Sequence, residues 1–215
     1  NNLLKSIKYG KSKNYDGILT VWNQQLSEVG AKIIFERSKI INHLSSIAKN
    51  KHLKIAEKSA EREENLKILY NSGISREIIE EYKPEKIKNE LFYLLESKSE
   101  REIEREMTLY GPHRDDIDFK LDDKDMKKFS SQGQKRTAVL SLKLAELELL
   151  KEITGRKPIF LLDDVFSELD DKRQKAFLGE INNVQTFISC VDIDSFKYNK
   201  NNSTLFEIKN GSIVL

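Results

Sequence analysis

The sequence has a single cysteine, few glycines and no long hydrophobic run. Cys190, in the apolar stretch FISCV, excludes an internal disulfide framework and fits a reducing cytosol. No apolar run approaches the roughly 18–20 residues that a membrane span needs, and we expect no signal peptide at the start of the chain. The nine glycines nowhere form a glycine-rich phosphate loop. If these residues bind a nucleotide, its phosphates must therefore lie elsewhere than in such a loop.

The balance of charge leaves the class of partner open. The 215 residues suffice for one large domain or two small ones, and with 38% hydrophobic and 33% charged residues they can form a core beneath a highly charged surface. Thirty-seven Lys and Arg against 35 Asp and Glu give a net charge of +2. This neither predicts nor excludes nucleic-acid binding, which depends on a local basic surface. Because the chain begins at Asn1 without methionine, we expect it to be part of something longer.

Residues 1–106 have the pattern of a charged, mostly helical arm, or lobe. Apolar residues recur at helical spacing over 33–47, and Gly30 interrupts the pattern before them. A short strand is predicted near 65–71, where apolar residues alternate before an Asn-Ser-Gly turn.

Two further helices are predicted in this arm. Ser75, followed by acidic residues, indicates a helix start, and Pro84 indicates the start of a longer helix. Residues 96–106 mix both charges, so we expect a solvent-exposed helix end with ion pairs between residues four apart.

Residues 107–215 are predicted to be α/β, because strands alternate with helices. PIFLL at 158–162 is apolar throughout, the pattern of a buried, parallel strand. A turn is predicted at 121–124, and LFEIKNGSIVL at the end is predicted to be a hairpin with Asn210-Gly211 at its turn. Gly155 is expected to end a helix. The predicted strands are 107–110, 115–121, 158–162 and 185–191, and the predicted helices are 134–153 and 171–183.

Two adjacent aspartates follow the apolar strand. Asp163 and Asp164 would emerge at its C-terminal end, where α/β sheets bind ligands. Asp163 suits magnesium, which takes carboxylate, water and phosphate oxygens, and Asp164 could orient or deprotonate an attacking water. The alternative is a strand that ends in a solvated Asp-Asp turn.

A loop of serine, glycine and glutamine precedes the 134–153 helix. Ser131 offers a hydroxyl, and Gly133 lets a backbone N–H approach an anion closely. The N-terminus of the helix attracts phosphate through its N–H groups and its dipole. The alternative is an ordinary loop at the start of a helix.

The order of loop, helix, strand, Asp-Asp and SELD resembles the ATP-binding cassette superfamily. The matching segments are 131–134 (signature loop), 159–164 (Walker B strand) and 167–170 (D-loop). With GPHRDD at 111–116 and LSLKLAELELL at 140–150, the chain is more closely similar to the C-terminal part of an SMC-related family of bacterial recombination and repair proteins. The resemblance is dense over 107–192 and sparser over 1–106. It implies a partial ATPase head, mainly parallel sheet with flanking helices, at 107–215 beside a helical lobe at 1–106.

The resemblance also implies roles for residues. In this superfamily ATP is sandwiched between two subunits, with the phosphate loop of one facing the signature loop of the other. Ser131 and Gly133 would contact the γ-phosphate held by the partner, and Gln134 would support the loop. Asp163 would be the acid on the magnesium side, and Asp164 the catalytic residue, where most members have glutamate.

Two further positions follow from the resemblance. Asp170 would act across the dimer interface. Ser189 stands where many members have a switch histidine, which puts a role in sensing γ-phosphate in doubt.

The histidines and the cysteine are expected to be structural. We expect Cys190 to be a small buried hydrophobe, and His113 and Arg114 to pair with Asp115 or Asp116. His43 and His52 are expected at the surface or an interface, because no nearby acids or cysteines give them metal-ligand spacing.

The resemblance implies a cytoplasmic bacterial ATP-dependent clamp or loader that holds duplex DNA near single-strand junctions. ATP with Mg²⁺ would close a homodimer, slow hydrolysis would reset it, and two mediator proteins of gap repair would be its partners. DNA contacts would be mostly to phosphates, with lysines of the N-terminal stretch and arm as candidates. The alternative is a DNA- or protein-binding module without ATPase activity. A third class, the ATPase subunit of a membrane transporter, is disfavoured by the charged helical segment and by GPHRDD.

Overall fold

A computed structural model of the chain describes residues 1–10, 15–56, 63–165, 169–191 and 203–214. The helices are α1 (Asn2–Lys8), α2 (Tyr15–Ala56), α3 (Arg76–Glu80), α4 (Pro84–Ser97), α5 (Ser99–Arg105), α6 (Met126–Phe129), α7 (Gln132–Thr154) and α8 (Asp171–Ile181). The strands are β1 (Leu66–Asn71), β2 (Asp116–Leu121), β3 (Lys124–Asp125), β4 (Phe160–Asp163), β5 (Thr186–Ser189), β6 (Glu207–Lys209) and β7 (Ser212–Val214). Within those described ranges, no helix has both the length and the apolar character that crossing a membrane requires.

The chain divides into two compact units, and each is described by itself. The first unit comprises Asn1–Ser46 and Leu66–Phe129, and the second comprises Ile47–Asn65 and Ser130–Leu215. This division by contacts differs from the predicted division at 106/107. Residues 107–129 group with the first unit because β2, within them, pairs with β1.

The first unit contains an antiparallel sheet with β2 between β1 and β3. β1 pairs with β2 along its whole length, beginning with Leu66 opposite Leu121. Asp122 and Asp123 have positive φ angles of 50° and 64°, the left-handed conformation that a two-residue hairpin turn favours. The strands predicted near 65–71 and at 115–121 are confirmed, as is the turn predicted at 121–124, which joins β2 to β3.

The core of the first unit lies between α2 and α4. Its buried apolar residues are Ala31, Ile34, Ile74, Ile79, Ile87, Leu91 and Leu95. A Cβ added at Gly30 would lie 2.8 Å from Leu91 Cδ2 and 3.3 Å from Pro112 Cδ. Gly30 interrupts the apolar pattern of the sequence but not the helix, because α2 runs through it. The close packing that this glycine allows offsets its cost in a helix interior, about 1 kcal/mol relative to alanine.

Glu102 is buried inside a stretch that was predicted to face solvent. It is 2% exposed, and its carboxylate accepts a hydrogen bond from the backbone N–H of Leu109 at 2.7 Å. Burial raises the pKa of the Glu102 carboxyl group, although the bonds from the backbone of Leu109 and Tyr110 oppose that shift. The expectation of a solvated helix end is therefore wrong at this residue.

No strand forms at 107–110, a stretch that the structure describes in full. The N–H of Leu109 bonds to a side chain and not to a neighbouring strand, so the predicted strand is wrong. In the turn that follows, His113 Nε2 and Arg114 Nε both lie 3.2 Å from the carbonyl oxygen of Thr108. Asp115 instead accepts a hydrogen bond from the Tyr70 hydroxyl. The predicted pairing of His113 and Arg114 with the aspartates of GPHRDD is therefore wrong.

The second unit packs α7 and α8 against one face of a parallel pair of strands, β4 and β5. Its buried apolar residues are Ile55, Leu140, Leu144, Phe160, Leu162, Leu169, Phe177 and Ile181. Truncating a fully buried side chain such as Phe177 to alanine typically costs about 3–5 kcal/mol. The predicted helices at 134–153 and 171–183 are confirmed, as are the end of α7 at Gly155, with φ of 65°, and the parallel pairing.

The other face of this strand pair is exposed. Leu161 is 72% exposed and its β5 partner, Phe187, is 54% exposed. The prediction of buried strands is therefore correct for only one face, since the helices cover the side that carries Phe160 and Leu162. Cys190, just after the end of β5, is exposed and not buried as expected.

The chain closes with the predicted hairpin. β6 pairs with β7 in antiparallel fashion, with Glu207 opposite Val214. Asn210 and Gly211 form its turn, with φ angles of 52° and 77°. An Asn-Gly pair favours this left-handed turn, so the terminal hairpin is confirmed.

Candidate nucleotide-binding site

The C-terminal end of β4 presents Asp163 and Asp164. Along β4, Phe160 and Leu162 are buried, whereas Leu161 and Asp163 are exposed, because successive side chains of a strand point to opposite faces. The two buried side chains fix the register of the strand against the core. The carboxylates are thereby held at the carboxyl edge of the sheet, open to solvent.

Ser189 fixes the position of both aspartates. It lies opposite Asp163 in the parallel pairing, and its hydroxyl donates to Asp163 Oδ1. The backbone N–H of Asp164 points back to Ser189, 3.2 Å from its carbonyl oxygen and 3.2 Å from its Oγ. The side chain predicted from β5 and the two predicted from β4 therefore form one cluster.

Asp164 has a left-handed backbone, with φ of 47°. Such a conformation costs a non-glycine residue roughly 1–2 kcal/mol, less for aspartate than for most residues. Residues held this way concentrate at functional sites, where surrounding contacts impose the conformation. Here the bonds from its N–H to Ser189 impose it, and they turn the chain away from the sheet directly after Asp163.

The aspartate cluster fits a magnesium ion that shares its ligands with a phosphate. Magnesium usually takes one or two carboxylates together with waters and phosphate oxygens. In the part of the chain that the structure describes, no group of three or more His, Cys, Asp or Glu side chains could hold a metal ion by itself. The donor set thus suits an ion that brings further ligands, such as phosphate oxygens, with it, and Asp163 and Asp164 are the carboxylates that could hold it.

The loop before α7 is closed by a reciprocal capping box. The Gln134 backbone N–H donates to Ser131 Oγ at 3.2 Å, and the Ser131 N–H donates to the Gln134 side-chain oxygen at 2.9 Å. This Ser-x-x-Gln pattern satisfies two backbone donors that a helix start leaves unpaired. The bond at Ser131 Oγ uses that oxygen only as an acceptor, so the hydroxyl can still donate to an anion.

Gly133 and Asp170 meet through Arg173. A Cβ added at Gly133 would lie 2.9 Å from Arg173 Nη1, and the same nitrogen lies 3.1 Å from Asp170 Oδ2. Asp170 also caps α8, since its Oδ1 accepts from the N–H groups of Lys172 at 3.0 Å and Arg173 at 2.9 Å. Arg173, which pairs with the D-loop-like Asp170, therefore lies directly beside the signature-like loop. The other D-loop positions, Ser167 and Glu168, lie outside the described residues.

Sequence reasoning missed the support beneath this loop. The Gln134 side-chain N–H donates to Glu64 Oε1 at 2.7 Å, and Glu64 Oε2 lies 3.1 Å from His52 Nε2. His52 is fully buried within its own chain, so its predicted position at the surface or an interface is wrong, whereas His43 is exposed. The missed signal was spacing, because position 52 shares a helical face with the buried residues Ala48 and Ile55.

No protein-family model matches the chain. Among curated proteins, it is 43% identical over 197 residues to the DNA replication and repair protein RecF of Acetivibrio thermocellus, covering 92% of this chain and 51% of that relative. It is 42% identical over 218 residues to RecF of Halothermothrix orenii and 40% identical over 216 residues to RecF of Staphylococcus carnosus, covering 100% of this chain and 56% of each relative. The chain thus spans about half the length of the curated relatives it matches.

Two solved structures of the recombination mediator protein RecF in the RecFOR pathway are also similar. One is named with ATPrS and superposes with a TM-score of 0.76, and the other is named with ATP and superposes with a TM-score of 0.75. Each is 35% identical to this chain, covering 99% of it and 53% of the solved chain. The α/β fold with its parallel strand pair is therefore the fold of the matching part of these structures.

Proposed function

Because the chain matches the C-terminal half of RecF proteins along its whole length, we propose that it is the C-terminal part of an ATP-dependent, DNA-binding protein of replication and recombinational repair. The observation that carries this proposal is the Asp163–Asp164–Ser189 cluster at the carboxyl edge of β4 and β5. It supplies metal-binding carboxylates in a chain whose solved neighbours include RecF with ATP.

Bound nucleotide and Mg²⁺ would supply the phosphoryl group and the charge that polarises it. Asp163, oriented by Ser189, would hold the magnesium ion. Asp164, placed next to it by the turn of the backbone, would orient the attacking water. An aspartate is one methylene shorter than the glutamate of most related ATPases, so we expect loose positioning of the water and slow hydrolysis.

The loop at Ser131 would meet a different ATP, bound to a second subunit. Ser131 and Gly133 stand at the first turn of α7, where backbone N–H groups and the helix dipole favour an anion. These residues lack a glycine-rich phosphate loop. In a head-to-head homodimer of a protein that also has the phosphate-loop segment, that segment of one subunit would grip each ATP, and Ser131 and Gly133 of the other subunit would contact it.

ATP-dependent closure of this dimer would hold duplex DNA, near single-strand junctions, in the bacterial cytoplasm. Contacts made mainly to phosphates would weaken as salt concentration rises. The named pathway of the solved RecF structures supports RecO and RecR as partners. The protein would act in recombination and in the SOS response, and it would be related to the SMC-like ATPases.

The test compares this chain with the same chain completed at its N-terminus by the corresponding part of a RecF relative. We expect ATP-dependent dimerisation, measured by sedimentation, and ATP hydrolysis only in the completed protein. Asp164→Asn should retain the dimer and stop hydrolysis, whereas Ser131→Arg should prevent dimerisation. Ser97→Arg, at the exposed end of α4, is the matched control and should change neither.

A non-catalytic DNA- or protein-binding module is the second candidate, favoured by the lack of a phosphate loop in these residues. It predicts that the completed protein neither binds ATP nor responds to either variant, while the chain alone still binds its partner. That outcome would reduce Asp163 and Asp164 to the end of a strand.

A further inference from the structure

Gln134 makes two side-chain hydrogen bonds that join the Ser131 loop to a distant part of the sequence. Its amide oxygen accepts from the Ser131 N–H at 2.9 Å, and its amide nitrogen donates to Glu64 Oε1 at 2.7 Å. An amide side chain is planar, so the position of its NH₂ group sets the direction of its oxygen. By holding the NH₂ group of Gln134, Glu64 therefore also orients the Gln134 oxygen that accepts from the Ser131 N–H.

Glu64 is a buried acceptor with a partner on each oxygen. The residue is 6% exposed; Oε1 faces Gln134, and Oε2 lies 3.1 Å from His52 Nε2. A carboxylate can only accept, so the ring nitrogen that faces it carries a hydrogen. Burying a carboxylate is costly unless its oxygens are hydrogen-bonded, and these two partners meet that requirement.

The network returns to the loop by a second route. His52 is fully buried, and its Nδ1 lies 3.4 Å from Ser141 Oγ. Ser141 Oγ donates to the carbonyl oxygen of Thr137 at 2.7 Å, and Thr137 Oγ1 donates to the carbonyl oxygen of Gly133 at 2.9 Å. The contacts that start at Glu64 therefore reach the backbone at two residues, Ser131 and Gly133.

We propose that Glu64 and His52 are positioning residues for the Ser131–Gly133 loop: they hold Gln134, and through it Ser131, in the geometry from which the loop meets the γ-phosphate of a partner-bound ATP. The contact with phosphate rests on the function proposed above, whereas the positioning stands without it. A purely stabilising role would not need bonds that end on these two backbone groups, because well-packed apolar residues stabilise a core at least as well as a buried polar network.

The experiment exchanges the donor and acceptor between positions 64 and 134. Gln134→Glu keeps an oxygen for the Ser131 N–H but replaces the NH₂ donor, so two carboxylates face each other. Glu64→Gln combined with Gln134→Glu restores one donor and one acceptor at that contact. The measurement, in this chain, is hydrogen exchange of the Ser131 amide relative to the Leu144 amide of the core, which corrects for any change in global stability.

We expect Gln134→Glu to speed exchange at Ser131, relative to Leu144, by about tenfold, the factor that corresponds to one lost hydrogen bond. The double variant should recover to within about threefold of the parent chain. His52→Gln should loosen the loop in the same direction. Glu180→Gln is the control, because it removes a carboxylate that pairs with Lys51 and Lys54, away from the loop, and it should leave the ratio unchanged.

Equal acceleration at Ser131 and Leu144, with no recovery in the double variant, would overturn the proposal and leave the network as ordinary core structure. The same variants in the completed protein then test the link to ATP. If positioning holds but the completed parent protein shows no ATP-dependent dimer, the function proposed above has failed and the positioning role has not. If the parent dimerises, Gln134→Glu should weaken ATP-dependent dimerisation and the double variant should restore it.

Discussion

Arg173 lies so close to Gly133 that a Cβ added at residue 133 would stand 2.9 Å from its Nη1 atom. The same guanidinium pairs with Asp170 at 3.1 Å, and its side chain is 19% exposed. The absence of a side chain at residue 133 therefore has a structural consequence within this chain. Because glycine has no side chain, Arg173 can lie against the loop before α7 while it pairs with Asp170, the cap of α8.

Gly133→Ala should destabilise the chain by about 1 kcal/mol, because the new methyl group displaces Arg173 and weakens its pair with Asp170. Gly179→Ala is the matched control, since a Cβ there meets nothing within 4 Å and residue 179 lies inside α8. Alanine is favoured over glycine in a helix by up to about 1 kcal/mol, so this control should stabilise the chain. Urea unfolding should give a lower free energy of unfolding than the parent chain for Gly133→Ala and a higher one for Gly179→Ala. Equal effects would show that Arg173 moves aside without loss.

Features of the fold and the candidate site that depend on neighbouring residues could be predicted from the sequence, whereas contacts between residues far apart in the chain could not. The apolar pattern of α7, the Asp-Asp end of β4 and the Asn210-Gly211 turn are local signals, and the structure has each as predicted. The contacts of Gln134 with Glu64, 70 residues away, and of Ser141 with His52, 89 residues away, depend on the folded chain. No local pattern indicates them.

Exposure was the other property that the sequence could not supply. The apolar runs around β4 and β5 predict strands correctly, but hydrophobicity shows only that a side chain favours burial. Whether Cys190 is covered depends on what packs there, and in this chain the cover is absent at that residue. Glu102 is the reverse case, since a charged residue in a charged stretch is buried by contacts that form only in the fold.

Glu102 should make the stability of the chain fall as pH rises. Burial raises the pKa of its carboxyl group above the ordinary value of 4.5. The folded chain therefore binds a proton more tightly than the unfolded chain, which favours folding at low pH. This contribution is complete below the unfolded pKa and is lost as pH rises through the folded pKa.

Glu102→Gln isolates this contribution, because the amide oxygen can still accept from the Leu109 N–H. We expect the free energy of unfolding of the Glu102→Gln chain, relative to the parent chain, to rise between about pH 4.5 and neutrality, because only the parent chain loses stability there. For Glu180→Gln, we expect the free energy of unfolding, relative to the parent chain, to fall as pH rises. Despite the cost of its burial, Lys51 and Lys54 lower the pKa of Glu180, so it stabilises the folded chain above its unfolded pKa and ceases to do so in acid. A pH-independent difference for Glu102→Gln would contradict the raised pKa.

Ser189→Ala should weaken the binding of Mg²⁺ with ATP in the completed protein by about tenfold or more, since Asp163 loses the hydrogen bond that orients it. Ser189→Thr retains a hydroxyl and should recover most of the affinity. Titration of Mg²⁺ against ATP-dependent dimerisation measures both variants. If alanine and threonine behave alike, the hydroxyl at this position does not orient the metal ligand.

The exposed pair Leu161 and Phe187 leads to a prediction whose sign depends on what surrounds the strands. In this chain the two side chains lie side by side in register and are 72% and 54% exposed, so they form an apolar surface beside open strand edges. Phe187→Thr should therefore reduce self-association of the chain, measured by light scattering, and change its unfolding free energy by less than about 0.5 kcal/mol.

In the completed protein the same substitution should be destabilising, because the proposed ATPase head, a mainly parallel sheet with flanking helices, would have both faces of that sheet covered. Loss of a buried phenylalanine side chain would then cost about 3 kcal/mol or more. Ile153→Thr, at the exposed end of α7 where the residue is 65% exposed, is the control and should have a small effect in both proteins. If Phe187→Thr has a small effect in both this chain and the completed protein, this face stays open to solvent even in the completed protein, and the added residues pack against another part of the chain.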